Sequence, residues 1–271
     1  MTFECAVTLA VSLVCYLGAA LFFQGAFLLQ RPALEGWGRW LLVGGMGVHA
    51  AGIGLHLAIS RLSPLTNMLT VISLFVIGFL LAGLLLERCT RVRHLGLLLA
   101  PLAFLGLLYP VLMPVEFEQA ESLLLHYPWL GVHVALTLVG HVGFALAFCG
   151  AVIYLWQARF LKQGRLNRYL PALDTASSAV FGSVGAGFFF FTLGLLMGVV
   201  WLYGAPGEFL TGRDTKIWMA VPAWVIYAAY LYLRGVRGLY GSRLKWMVIA
   251  GFALVLVNLL GVRHDFEGAP L

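Results

Sequence analysis

The chain has 271 residues, of which 62% are hydrophobic and only 10% charged, with a mean hydropathy of +0.95. A water-soluble domain carries about 25% charged side chains, so this chain could not cover its own surface in water. It reads as an integral membrane protein, and its net charge of +6 comes with no Lys/Arg-rich tail that could grip a nucleic acid.

A membrane helix needs about 20 apolar residues. The apolar runs predict eight such spans, near residues 5–29, 41–59, 65–86, 95–112, 129–155, 179–202, 217–233 and 246–262, in one membrane domain over 1–271. The fold class is therefore all-α, a polytopic helix bundle whose surroundings are membrane lipid. The first run lacks a basic leading segment and follows Glu4, which favours a retained helix over a cleaved signal. Pro64, Pro114, Pro128, Pro171 and Pro206 fall between or beside the runs, whereas Pro101, Pro110 and Pro222 are expected to kink or start helices. All but four of the 17 basic residues fall in the connections after spans 1, 3, 5 and 7, the exceptions being Arg61, Arg213, Lys216 and Arg263. That asymmetry predicts both termini outside.

The four cysteines form no C-x-x-C pair, and Cys5 and Cys15, about 15 Å apart along one helix, cannot bridge. Trp37, Trp40, Trp129, Trp156, Trp201, Trp218 and Trp246 fall at span ends, where amphipathic rings form an aromatic belt. Glycines 44, 45, 47, 52 and 54 in span 2, and 182, 185, 187, 194 and 198 in span 6, point to close helix packing. No role is assigned to the run Phe188 to Phe191.

Ionisable side chains inside spans are costly and mark function, and here nearly all are histidines. His49 lies near mid-span 2, and His56 toward its outer end, two turns further on and about 20° away around the helix. His133 lies about one turn below the outer surface of span 5, with His141 deeper; His126 and His264 belong near the outer face. Neutral imidazoles facing a gap between helices suit the axial positions of haem iron. Zinc fits less well, because no Asp, Glu or Cys accompanies these histidines inside the membrane. The alternative for each histidine is a hydrogen bond to a backbone carbonyl across a helix interface.

By span 5 the chain resembles the cytochrome c assembly family, the CcsA- and HemX-like multi-pass proteins. The matching stretches are WLGVHV at 129–134, Gly140 and Phe144 running on to YLWQARFLK, TLGLLMGVVW at 192–201, WVIYAAYLYLR at 224–234, the GLYG turn, and GFALVLVNLLGV at 251–262, with SPLTNMLTVIS at 63–73. The resemblance implies haem, b-type and non-covalently bound, presented at the outer face of a bacterial-type inner membrane by a Trp-rich loop between two histidines. By position the first ligand is His133. The counterpart loop, YGAPGEFLTGRDTK at 203–216, keeps Asp214 and Lys216 but none of the tryptophans. The second ligand has His264 as a shifted substitute, and the family's Y-L-H-x-R reads Tyr230 to Arg234 with Tyr232 in the histidine's place. His49 is similar in location to the histidine of span 2.

The degenerate loop moves the chain toward the HemX-like branch. The leading expectation is a haem-handling protein of cytochrome c assembly or haem homeostasis, with cofactor residues His133, His264, His49, His141 and His56, and His133 and His264 on the iron. Expected partners are other assembly subunits or apocytochrome c. No nucleophile or general base for an independent reaction is visible, so any catalysis would be that of a cytochrome c synthase or haem lyase component. The competing expectation is a scaffold or regulator of a haem-synthesis or respiratory partner, with no cofactor of its own. A transporter ranks third, since the spans lack a carboxylate relay.

Overall fold

The computed structural model describes residues 3–60, 65, 68–90, 92, 94–112, 128–167, 169–204 and 215–261. Among these there is no strand, and the helices are α1 (Phe3–Leu29), α2 (Pro32–Ser60), α3 (Met68–Cys89), α4 (Gly96–Leu112), α5 (Pro128–Lys162), α6 (Leu173–Gly204), α7 (Thr215–Leu231) and α8 (Ser242–Leu256). One turn of π-helix extends α7 over Tyr232–Val236, and another extends α8 over Val257–Gly261. With those turns included, seven helices among the described residues are long and apolar enough to cross a membrane. The exception, α4, has 17 residues, about 25 Å against a hydrocarbon core of about 30 Å.

The helices outrun the apolar runs that predict them. α2 begins at Pro32 rather than residue 41, and α5 continues to Lys162. Backbone hydrogen bonding does not stop where the hydrocarbon stops, so a helix continues through the headgroup region on polar and aromatic residues. Trp37, Trp40, Trp129, Trp218 and Trp246 lie near helix ends and are exposed, as the belt expectation requires.

By its internal contacts the chain divides into two compact units, Met1–Glu121 and Ser122–Leu271. In the first, α1 packs against both α2 and α4, and α3 packs on α4. Gln30, at φ 53°, ends α1, and the N–H of Arg31 returns to the Ala26 carbonyl (3.1 Å). Pro101 sits inside α4 and so removes the donor that would serve the Leu97 carbonyl four residues back. Gln24 of α1 supplies it, with Nε2 3.1 Å from that oxygen. Glu87 pins the α3–α4 turn, accepting from Arg39 of α2 (2.9 Å) and from the Leu95 amide (2.6 Å).

In the second unit α5 and α6 form the most extensive pair, and α8 packs on both α5 and α7. Phe144 of α5 stacks on Tyr227 of α7 at 3.8 Å, and the Tyr227 hydroxyl donates to the Val248 carbonyl of α8. The α7–α8 turn needs Gly238 (φ 63°) and Gly241 (φ 117°), a region that side-chain-bearing residues avoid.

Lys245 departs from the sequence expectation. Counted there with the connection after span 7, it lies instead in the first turn of α8 and is fully buried. Its ammonium donates to Ser177 Oγ (2.9 Å) and faces the rings of Tyr154 (4.8 Å) and Tyr230 (5.8 Å). No carboxylate among the described residues pairs with it. A buried ion without a counter-charge contributes little net stability, yet removing its hydrogen-bond partner exposes the full cost of its burial. Lys245→Met is therefore expected to leave thermal unfolding in detergent unchanged or raised, and Ser177→Ala to destabilise by about 1.5–3 kcal/mol. A silent Ser177→Ala together with a severe Lys245→Met would contradict that account.

Candidate functional site

The buried stripe of α2 runs Gly38, Leu42, Gly45, His49, Gly52, His56, the four–three–four spacing of one helix face. Both histidines thus share a face, as their sequence spacing predicts. His49 is completely buried and His56 nearly so. The Nδ1 atom of His49 lies 3.1 Å from the hydroxyl of Tyr16, itself completely buried on α1. The Nε2 atom of His49 and the Nδ1 atom of His56 are buried with no hydrogen-bond partner. Orphaned polar atoms in a membrane interior are expensive, and each of these two is a donor or an acceptor according to the tautomer of its ring.

In the second unit His133 and His141 both lie on α5. Nδ1 of His133 is 2.6 Å from the Gly194 carbonyl of α6, across the helix interface. Nδ1 of His141 contacts the Thr137 carbonyl one turn back, and its ring meets Phe191 edge-on at 5.4 Å. A carbonyl can only accept, so in both residues Nδ1 carries the proton and the lone pair sits on Nε2. This is the tautomer a metal-binding histidine uses, with the other ring nitrogen donating to an orienting acceptor. Carbonyl bonding and iron ligation, set against each other in the sequence reading, are thereby compatible: they use opposite nitrogens of one ring.

The approach that makes the His133 bond possible comes from glycines. A Cβ on Gly198 would lie 2.8 Å from His133 Nδ1, and one on Gly194 would lie 2.9 Å from the Thr137 amide. Within the ten glycines noted in the sequence, only some take part in packing. Gly45, Gly52, Gly187, Gly194 and Gly198 meet a neighbouring helix, whereas Gly44, Gly47, Gly54, Gly182 and Gly185 face open space.

No group of three or more His, Cys, Asp or Glu side chains among the described residues has metal-holding geometry. A bare ion such as zinc needs about three or four protein donors. Haem brings four equatorial nitrogens of its own and asks the protein for one or two axial donors, so singly placed imidazoles with the lone pair on Nε2 fit it. His126, His264 and residues 205–214 of the loop lie outside the described residues.

Two partners escaped the sequence reading. Tyr16 carried a signal, since Thr8, Ser12 and Tyr16 place hydroxyls at four-residue intervals along α1, away from the interfacial belts. The Gly194 carbonyl carried none, because a backbone oxygen has no letter of its own.

Residues 63–269 match the family described as Cytochrome C assembly protein. The cytochrome c biogenesis protein CcsA of Chlamydomonas reinhardtii is 27% identical over 213 residues, covering 76% of this chain but only 59% of that protein. The CcsA proteins of Guillardia theta and Synechococcus elongatus are 24% and 28% identical, each over 75% of its own length and over 76% and 73% of this chain. No solved structure matches.

Proposed function

From the premise that the chain belongs to the cytochrome c assembly protein family, we propose that it handles haem in cytochrome c biogenesis. In this reading His133 ligates a non-covalently held b-type haem near the outer membrane face. The observation that carries it is the 2.6 Å contact of His133 Nδ1 with the Gly194 carbonyl, which puts the lone pair on Nε2. The charge asymmetry of the connections, read as eight spans with both termini outside, supports an outer position for the start of α5. The partner is then an apocytochrome or another assembly subunit, in a bacterial-type inner membrane. His264, three residues beyond Gly261 in the sequence, is the candidate for the second axial position; His49 and His141 would lie deeper, with His56 toward the outer end of α2.

The bound haem would supply the redox-active iron and the vinyl groups to which apocytochrome cysteines are joined. The chain's own residues orient and hold. Gly194 sets the tautomer of His133, Gly198 leaves room for its ring, and Phe191 braces His141. In this reading the chain's contribution to any thioether formation is positioning.

A reduced-minus-oxidised visible spectrum of the purified full chain, with pyridine haemochrome quantification, tests this. The expected result is a sharp reduced α-band with near-stoichiometric haem. Absence of haem even after reconstitution would overturn the reading in favour of a cofactor-free scaffold.

A further inference from the structure

The π turn that ends α7 carries a cation with no counter-charge. The Arg237 amide closes it on the Tyr232 carbonyl (3.1 Å), a five-residue step that inserts one residue into the helix. Arg234, within the turn, lies over the ring of Tyr240 at 3.5 Å and that of Phe181 of α6 at 5.7 Å. Rings cover the faces of a guanidinium, so its edges, where the N–H donors point, are what remains for a ligand. Nε of Arg234 is buried without a hydrogen-bond partner, whereas its terminal Nη groups are not enclosed. Beside it stand the completely buried Lys245 and Tyr230, the latter with its hydroxyl unpartnered, and the charge of Arg234 reaches both. Two cations close together away from water repel strongly unless an anion lies between or beside them. Among the described residues none does. Asp174, exposed in the first turn of α6, forms no ion pair with either.

We propose that Arg234, backed by the charge of Lys245, is a binding site for the phosphate of an anionic membrane phospholipid. A phosphodiester offers two non-bridging oxygens, which match the parallel N–H donors of a guanidinium. The headgroup needs no enclosed cavity, because Arg234 is half-buried and meets it at the surface, while Lys245 acts from behind through its charge. Lipid is favoured over a free anion by what surrounds the cation. Tyr232, Val236 and Leu239 are exposed apolar surface for acyl chains, and Arg237 and Arg243 are exposed on the same connection. The charge asymmetry of the connections puts this one at the inner face, where anionic headgroups collect on basic pockets between helices. Tyr154, which faces Lys245, is about 30 Å further along α5 than His133, so the site is distinct from the haem site and does not require it.

Native mass spectrometry of the detergent-purified full chain, titrated with dioleoyl phosphatidylglycerol, tests this. One tightly retained phosphatidylglycerol is expected, with phosphatidylcholine of the same acyl chains bound about tenfold more weakly. Arg234→Gln is expected to weaken phosphatidylglycerol binding about tenfold and Lys245→Met about fivefold. Arg159→Gln, which removes an exposed cation of α5 outside the cluster, should weaken it by less than about twofold. Arg234→Lys keeps the charge but not the fork and should fall between, and it decides the matter if Arg234→Gln does not fold. Equal losses in the Arg234 and Arg159 variants would show a diffuse basic surface and overturn the site, as would unchanged binding in Arg234→Lys and Lys245→Met. Displacement of the lipid by millimolar inorganic phosphate would make the occupant a free anion and overturn the lipid assignment.

Discussion

Replacing His133 by alanine is expected to weaken binding of the outer haem by more than about a hundredfold, beyond the 10–100-fold typical of losing only an orienting partner. The haem content of the purified protein and the reduced α-band should fall together. The fold should survive, because the substitution removes one interhelical hydrogen bond, worth about 1 kcal/mol, from an extensive α5–α6 interface. His133→Gln separates the two roles further. Its amide can still donate to the Gly194 carbonyl, but it offers no imidazole, so the helix pair should unfold as in the unsubstituted chain while the haem is lost. Imidazole added to His133→Ala should restore part of the band, since the space left by the ring admits the free ligand. An α-band and haem content in His133→Ala equal to those of the unsubstituted chain would remove His133 from the iron.

How much of this was legible in the sequence differs between the helices and the site. The helices could be found because lipid imposes a single rule on every residue that touches it, and seven of the eight apolar runs correspond to helices long enough to span. Their ends could not, because hydropathy marks where the hydrocarbon stops and not where backbone hydrogen bonding stops, so the turns of α2 from Pro32 onward carry no apolar signal. His49 and His56 were placed correctly on one buried face by spacing alone. Lys245 was misplaced because a lysine next to a basic connection is normally solvated, and only the packing of α8 against α5 and α7 shows it buried against Ser177 of α6. The His133 bond depends on the register between α5 and α6, a relation between two segments 61 residues apart in sequence. Glycine content announced that close packing exists. Which five of the ten glycines lie in it follows from helix phase against a particular neighbour, as in the Gly45–Gly52 pair facing α1.

That register gives the second large expected effect. At Gly143 a Cβ would come 2.6 Å from Gly187 Cα, 2.7 Å from Gly187 N and 3.0 Å from the Ser183 carbonyl, all of them backbone atoms of α6. Gly140 is similar, 2.8 Å from the Phe191 amide nitrogen. Backbone cannot turn aside as a side chain can, so Gly143→Val must push the two helices apart. Van der Waals packing is the main attraction between helices in lipid, where no hydrophobic driving force is left to hold them. The expected loss is at or above the upper end of the usual overpacking range, about 3 kcal/mol, read as a lowered unfolding transition in detergent. Separation would also lengthen the 2.6 Å bond from His133 to Gly194, so haem binding should weaken in the same variant although Gly143 touches neither the imidazole nor its acceptor. Gly198→Ala should behave oppositely. Its Cβ meets the Nδ1–Cε1 edge of the His133 ring, at 2.8 Å and 2.9 Å, a side chain that can swing away at the cost of its bond to Gly194. Stability should then stay within about 1 kcal/mol while the haem spectrum changes. Gly182→Ala, on the open side of α6, should change neither. If Gly143→Val unfolds with the unsubstituted protein and keeps its haem, the close α5–α6 seam is not what orients His133. If it loses both, the geometry of the ligand is a property of the helix pair as a whole.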